Sequence, residues 1–190
     1  ARLSKWHCLV IDPNEQIDTA FIEQIVYIFS AVTDLKFITY KNGRLVMAPL
    51  LQHPNWQCQL TNLMVIRVGN QQDRELIPAI NGLTALQYLA LLLWKDNSNL
   101  LDLPILAQLK AVALRSFKPH AFVRSLERYA TDNADLQVHL LSGNTDGLLS
   151  LSQPLHSRII RYGRRDFDYT RDRVPLLCSQ FRSLTSLSIN

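Results

Sequence analysis

Apolar residues recur along this chain in one pattern, apolar–x–x–apolar–x–apolar, in which x is any residue. The pattern occurs eight times, with His139 and Ser157 as polar exceptions, at Trp6/Leu9/Ile11, Leu35/Ile38/Tyr40, Leu63/Ile66/Val68, Leu86/Leu89/Leu91, Leu109/Val112/Leu114, Leu136/His139/Leu141, Ser157/Ile160/Tyr162 and Leu184/Leu187/Ile189. Its first positions lie 21 to 29 residues apart, the range in which a strand and a returning helix form one unit of a repeat solenoid. Because a unit of this size cannot bury its own apolar face, each unit must pack against its neighbours.

The pattern predicts an α/β fold: a right-handed solenoid of about eight repeats, shaped as a horseshoe, with parallel strands on its concave face and helices on its convex face. Helical periodicity separates the strand patterns in residues 15–33 and 72–85, and more briefly in residues 148–151 and 174–181. It also follows Pro119, which suits the first turn of a helix. The strands are predicted near 8–11, 37–40, 65–68, 88–91, 111–114, 138–141, 159–162 and 186–189.

A chain of this length could form one or two domains, but a repeat array predicts one continuous solenoid domain over residues 1–190. Apolar residues make up 47% of the 190 residues and charged residues 19%, which suits a continuous core. The chain starts and stops on the strand pattern without a polar capping unit, so we expect it to be a piece of a longer chain. Three widely separated cysteines and the lack of an N-x-Ser/Thr acceptor favour an intracellular location, cytoplasmic or nuclear. The sequence has no apolar run long enough for a membrane span.

The segments LQYLALLLW (86–94) and LKAVALRSF (109–117) carry a family resemblance. The chain resembles leucine-rich-repeat proteins from Trp6 to Ile189, and its irregular units look most like those of intracellular F-box-type adaptors. Asn14 and Asn144 match the asparagine that often follows the repeat's strand in this family, whereas Trp94, Phe117 and Arg165 depart from it. The resemblance implies a protein-binding module that presents substrates to a ubiquitin ligase, whose core a separate F-box would recruit. No F-box is visible in this sequence.

The strand pattern also predicts a binding surface on the concave face. If the apolar positions of the pattern point inward, alternation places the residues between them on the concave side. Aromatic and aliphatic side chains with arginines near them are typical of protein interfaces. The predicted contacts are Phe37, Val65, Arg67, Tyr88, Leu92, Arg115, Val138, Leu140 and Arg161. The alternative is that a terminal segment of the same chain covers this sheet.

A second candidate is the basic and aromatic segment 161–173, RYGRRDFDYTRDR. Its possible contacts are Arg164, Arg165, Arg171 and Arg173. Such a segment can bind single-stranded RNA by stacking and phosphate contacts, as in repeat modules of mRNA-export factors. It can equally contact a protein, and its three aspartates are also typical of a solvated, salt-bridged loop.

Nothing in the sequence supports catalysis, a cofactor or a metal site. The five histidines show no metal-ligand spacing, and we expect His139 to be a buried core imidazole. No phosphate-binding loop or hydrolase motif occurs. The sequence therefore favours a non-enzymatic protein-binding scaffold. A structural subunit of a large intracellular complex and an RNA-binding repeat module remain the alternatives.

Overall fold

A computed structural model describes residues 8–11, 19–39, 47–67, 76–93, 102–115, 119–142, 152–164 and 186–189 of the chain. In several strands only the backbone is described. The chain divides into two compact units, Ala1–Lys95 and Asp96–Asn190.

In the first unit, four parallel strands pair in chain order, with helices between them. The elements are β1 (Cys8–Ile11), α1 (Thr19–Ile28), β2 (Asp34–Thr39), α2 (Met47–Leu51), α3 (Pro54–Gln57), β3 (Asn62–Arg67), α4 (Leu76–Asn81) and β4 (Tyr88–Leu93). Helices α1, α2 and α4 bury apolar side chains, among them Ile22, Leu50 and Ile80, in the core. The helices follow the same order, since α1 contacts α2 and α2 contacts both α3 and α4.

The core of the first unit consists of rows of apolar side chains that run across the strands. The buried positions in these rows are Val32, Leu60 and Leu86, then Leu35, Leu63 and Leu89, and then Val65 and Leu91. Trp56, on the short helix α3, is fully buried as well. Each strand thus repeats the buried positions of the preceding strand at the same register.

The inward frame predicted for the second and third repeats is wrong. Leu35 and Leu63 occupy the middle position of the pattern, not its first, so β2 and β3 begin three residues earlier than predicted. The sequence fits both frames, because an apolar residue also stands three positions upstream, at Val32 and Leu60. An odd shift moves every side chain of a strand to the other face. Val65, predicted on the surface, is therefore in the core with 0% exposure.

The second unit also contains four parallel strands that pair in chain order. Its elements are a 3₁₀ turn (Pro104–Ala107), β5 (Ala111–Arg115), α5 (Pro119–Tyr129), β6 (Gln137–Ser142), α6 (Gln153–His156), β7 (Ile159–Arg164) and β8 (Ser186–Ile189). The helix α5 starts at a proline, as predicted, because proline's missing N–H is not needed in a first helical turn.

In the sixth repeat the predicted frame is again wrong. Val138 and Leu140 are buried, with 1% and 3% exposure, and they pair with the core residues Val112 and Leu114. His139 lies between them and is partly exposed, so it is not the buried imidazole that the pattern predicted. The reason is local. Val138 and Leu140 alternate with polar neighbours. Because successive side chains of a strand point to opposite faces, this alternation directs Val138 and Leu140 into the core, although the repeat pattern predicted the other face.

Among the described residues, hydrogen bonds also link several repeats to their neighbours at the turns before the strands. Gln59 Nε2 donates to Val32 O at 3.1 Å across 27 residues, and Thr61 N donates to Thr33 O at 2.9 Å. In the second unit, Asn133 Nδ2 donates to Leu106 O at 2.9 Å, again across 27 residues. Side chains therefore donate hydrogen bonds to backbone carbonyls that the pairing of parallel strands leaves unpaired. The two partners of each such bond lie about one repeat apart in the sequence.

The fold is α/β with parallel strands and several helices, as the repeat pattern predicted. The first, fourth, fifth, seventh and eighth strands begin where expected, and the sixth begins one residue earlier. Helices α1, α4 and α5 lie within the segments of helical periodicity. The helical patterns at 148–151 and 174–181 lie outside the described residues.

We expect Leu89→Ala to lower the free energy of unfolding by about 2–5 kcal/mol, because it leaves a cavity among the buried rows of neighbouring strands. Urea denaturation followed by circular dichroism measures the change. The control is Tyr88→Ala, the adjacent residue on the opposite face, which we expect to cost clearly less. Equal losses in the two variants would contradict the alternation of faces in β4.

We expect the isosteric substitution Asn133→Asp to destabilise the second unit by about 1–3 kcal/mol. Asn133 Nδ2 donates to Leu106 O at 2.9 Å and to Leu109 O at 2.8 Å. A carboxylate has no donor for these carbonyls and repels them. Thermal unfolding measures the loss, with Asp135→Asn as the control, since Asp135 is exposed in the same turn. An unchanged melting temperature in Asn133→Asp would show that this link between repeats is dispensable.

Candidate functional site

In the first unit, the face of the sheet opposite the core carries three rows of partly exposed side chains. We call it the open face. Its rows are Asp34–Asn62–Tyr88, Lys36–Met64–Ala90 and Ile66–Leu92. The rows change from polar at the start of the strands to apolar at their ends.

The polar row is held by hydrogen bonds within the protein. Asn62 Nδ2 donates to Asp34 Oδ1, and Thr33 Oγ1 donates to Asp34 Oδ2 at 2.7 Å. Both carboxylate oxygens of Asp34 are therefore already engaged. Tyr88 follows in the same row and is 46% exposed, the most accessible large apolar side chain of this face.

The other two rows form an apolar surface with one charge at its side. Met64, Ile66 and Leu92 are each partly exposed, and Ala90 lies between Met64 of the neighbouring strand and Tyr88 and Leu92 of its own strand. Lys36, beside Met64, contributes a positive charge to the middle row.

The structure places the aliphatic and aromatic residues of the predicted binding surface in two different environments. Tyr88 and Leu92 lie on the open face, as predicted. Val65, Val138 and Leu140 are in the core, so their predicted surface position is wrong.

One predicted apolar contact remains, and only its pairing with the neighbouring strands is described. Phe37 shares a row with the buried Val65 and Leu91, and its side chain is not among those described.

Sequence reasoning missed the large apolar residues Met64 and Ile66 of the open face, and it did not select the polar residues Asp34, Lys36 and Asn62 either. The shifted frame assigned Ile66 to the core and did not select Met64. Both would have been found from the alternative frame that starts at Leu60, in which Leu63 and Val65 are inward and their neighbours outward. The repeat pattern alone does not choose between the two frames.

Only the backbone positions of the predicted arginine contacts are described, and not all of them. In the strands, Arg67 pairs with Leu93, Arg115 with Ser142, Arg161 with both His139 and Ser186, and Arg164 with Ile189. Their side chains, and the whole of Arg165, Arg171 and Arg173, lie outside the described residues. The prediction that this segment binds RNA or protein therefore stays a prediction.

In the second unit, the described side chains beside the core positions of β5 and β6 are small or polar, and β7 adds the partly exposed Ile160. Ala111 pairs with Gln137, and Ala113 pairs with His139. Neither row presents a large apolar side chain. Of the two units, the first therefore offers the more apolar sheet face within the described part of the chain.

A second exposed apolar group lies on the helix α1. Phe21 is 46% exposed, and Tyr27 and Ile28 are also exposed. Glu23 is the charged residue of this helix, and its Oε2 lies 3.4 Å from His53 Nε2. This contact joins α1 to the turn that precedes α3, since His53 Nδ1 also accepts from Asn55 N at 3.3 Å.

The second unit carries a polar cluster at the end of α5. Tyr129 Oη donates to Asp102 Oδ1 at 2.6 Å, and Arg128 Nη1 lies 3.7 Å from the same oxygen. The hydrogen bond to Asp102 raises the pKa of Tyr129 above its ordinary range, with smaller contributions from burial and from the negative charge of Asp102, while Arg128 acts in the opposite direction. The cluster connects residues 27 positions apart, like the other links between repeats.

Within the described ranges, no group of three or more histidine, cysteine, aspartate or glutamate side chains is arranged to hold a metal ion. No helix in the same part of the chain is both long and apolar enough to cross a membrane.

We expect Asp102→Asn to lower the pKa of Tyr129 towards its ordinary value, because the substitution removes the charged acceptor that favours the neutral phenol. With the raised pKa, the Tyr129–Asp102 hydrogen bond is present at neutral pH and is lost only as pH rises through that pKa. Titration of selectively labelled tyrosine ring carbons by NMR measures the shift, with Asp132→Asn as the control. An unchanged Tyr129 titration would contradict the contact.

Comparisons of the chain with protein-family models, with curated proteins and with solved structures found no match.

Proposed function

We propose that this protein is a protein-binding scaffold of the leucine-rich-repeat type, a horseshoe of about eight repeats, and that its open face binds the partner. The observation that carries the proposal is the group of partly exposed apolar side chains Met64, Ile66 and Leu92 on two neighbouring strands, with the exposed Tyr88 in the adjacent row. A sheet face with no partner is normally polar on its solvent side. Partly exposed aliphatic side chains on consecutive strands are therefore a reason to expect a covering surface.

The residue types support a protein as the partner. Tyrosine and methionine are enriched in protein interfaces, and tyrosine is a frequent hot-spot residue. The rows of the open face come from consecutive strands and offer repeated, shallow contacts to an extended surface. Small-molecule sites are instead concave and enclose most of the ligand. The hydrogen-bonded Asp34 and Asn62 form a polar margin to the apolar rows, which matches the polar rim of a protein interface.

For the class of scaffold, we propose an intracellular, non-enzymatic adaptor of the F-box type that receives the substrate of a ubiquitin ligase. This part rests on the resemblance of segments 86–94 and 109–117 to leucine-rich repeats and on the irregular length of the units. In a structural subunit of a large complex, the same face would be permanently covered. Among the described residues, no observation favours the RNA-binding alternative.

Site-specific photocrosslinking tests the proposal. A photoreactive phenylalanine analogue replaces Tyr88 in one protein and Phe21 in another, because the two side chains are equally exposed, at 46%, on opposite sides of the first unit's sheet. We expect a specific protein adduct from position 88. The purified partner is then titrated against the wild type and against Tyr88→Ala/Leu92→Ala, which we expect to bind more weakly by about 2 kcal/mol or more.

Two control variants accompany this titration. Phe21→Ala should bind the partner like the wild type, because α1 is on the other side of the sheet. Arg164→Glu with Arg165→Glu should also leave protein binding intact, but it should weaken any RNA complex and reduce its dependence on salt. Full binding by Tyr88→Ala/Leu92→Ala together with loss in the arginine variant would overturn the proposal in favour of the basic segment.

A further inference from the structure

We propose that His53 is a pH-sensitive helix cap. Its neutral imidazole caps α3 and contacts α1, and protonation of the ring releases the cap while the contact with α1 stays. Two contacts of the one ring carry the proposal: Asn55 N donates to His53 Nδ1 at 3.3 Å, and His53 Nε2 lies 3.4 Å from Glu23 Oε2. This cap lies among the helices of the first unit, and it does not depend on what the open face binds.

The two contacts determine which ring nitrogen carries the proton. A backbone N–H can only donate, so Nδ1, which accepts from Asn55, carries no proton. An ionised carboxylate can only accept, so Nε2, which faces Glu23, carries the proton. The neutral imidazole protonated on Nε2 is the one form of the ring that makes both contacts.

The cap of α3 is unusual in its residue type. His53 has an extended backbone at the N-cap position, and Pro54 follows it without an N–H, so Asn55 N–H is the first backbone donor of the helix. Helices normally use serine, threonine, asparagine or aspartate to accept from such a donor. None of these ordinarily changes its charge near neutral pH, whereas the charge of histidine changes between about pH 5 and about pH 8. A histidine cap therefore depends on pH where the usual caps do not.

Protonation acts in opposite directions on the two contacts. It places a proton on Nδ1 opposite the N–H of Asn55, so two donors face each other and this hydrogen bond is lost. At Nε2 it adds a positive charge to the contact with the carboxylate of Glu23, which strengthens that contact. The Glu23 side chain is 66% exposed, so water screens the ion pair, but the charged ring stays beside α1. Because Trp56, the residue after Asn55, is fully buried, we expect the loss of the cap to stay local.

The charged surroundings of the ring are simple within the described residues. Glu23 is the charged residue of α1, and α2, α3 and α4 carry none. Tyr27 on α1 and Cys58 directly after α3 are the other titratable groups on these elements. Substitution of Glu23 therefore separates the effect of the charged neighbour from the effect of the proton on Nδ1.

NMR on the intact chain tests the proposal between about pH 8 and about pH 5. Long-range proton–nitrogen correlation spectra report which ring nitrogen of His53 carries the proton, and the amide proton shift and hydrogen exchange of Asn55 report the cap. Three variants are compared with the wild type. His53→Asn keeps an acceptor that does not titrate, and His53→Ala removes the acceptor. Glu23→Gln keeps an acceptor for Nε2 but removes the charge.

At the alkaline end of the range we expect the proton of the wild-type ring on Nε2. As His53 becomes protonated, the Asn55 amide proton should move upfield to the position that it has in His53→Ala at the same pH, and its protection from hydrogen exchange should be lost. His53→Asn should show neither change. Glu23→Gln should show both changes, because the cap depends on Nδ1 and not on the ion pair.

Four results would overturn the proposal. The first is a proton on Nδ1 at the alkaline end, and the second is an Asn55 amide that does not respond while His53 titrates. The third is the same pH response in His53→Asn, which would assign it to another group. The fourth is loss of the response in Glu23→Gln, which would assign it to the ion pair. If a variant does not fold, the ring nitrogens and the Asn55 amide of the wild type still decide.

Discussion

The structure depends on burial that each strand achieves only through its neighbours. Leu35, Leu63 and Leu89 form one buried row across β2, β3 and β4. A unit of one strand and a short helix has too small an interior for its own core. The fold is therefore stabilised by packing between repeats, which requires both a matching strand register and matching residue types. The loss of one leucine affects the repeats on both sides.

The same constraint explains the hydrogen bonds that join the repeats. Parallel strands leave carbonyls unpaired at the turns that precede them, and a buried unpaired carbonyl is costly. Gln59, Asn133 and Arg158 each reach back about one repeat, with Arg158 donating through both of its terminal nitrogens to Ala130 O and Thr131 O. These side chains fix the register of one repeat against the next and thereby determine which residues of neighbouring strands share a row.

The strand register in turn creates the candidate site. Because side chains alternate between the faces of a strand, alignment of the leucines on one side also aligns their neighbours on the other. In the first unit those neighbours include Met64, Ile66, Tyr88 and Leu92, so an apolar open face results from the same register that builds the core. In the second unit the corresponding neighbours in β5 and β6 are Ala111, Ala113, Gln137 and His139, which are small or polar, and Ile160 of β7 is partly exposed. The two units therefore have similar cores but different surfaces.

The sequence by itself determined the class of fold. The apolar pattern and the helical segments between its copies depend on local periodicity, and they predicted parallel strands alternating with helices, including the proline at the start of α5. Tertiary structure decided which face each side chain occupies. Around Leu35 and Leu63 two frames three residues apart fit the pattern equally, and only pairing with the neighbouring strands distinguishes them. An odd shift exchanges the faces, so Val65 became core and Met64 became surface. Which residues belong to the candidate site thus depends on the register between neighbouring strands, and the pattern within one repeat does not determine that register.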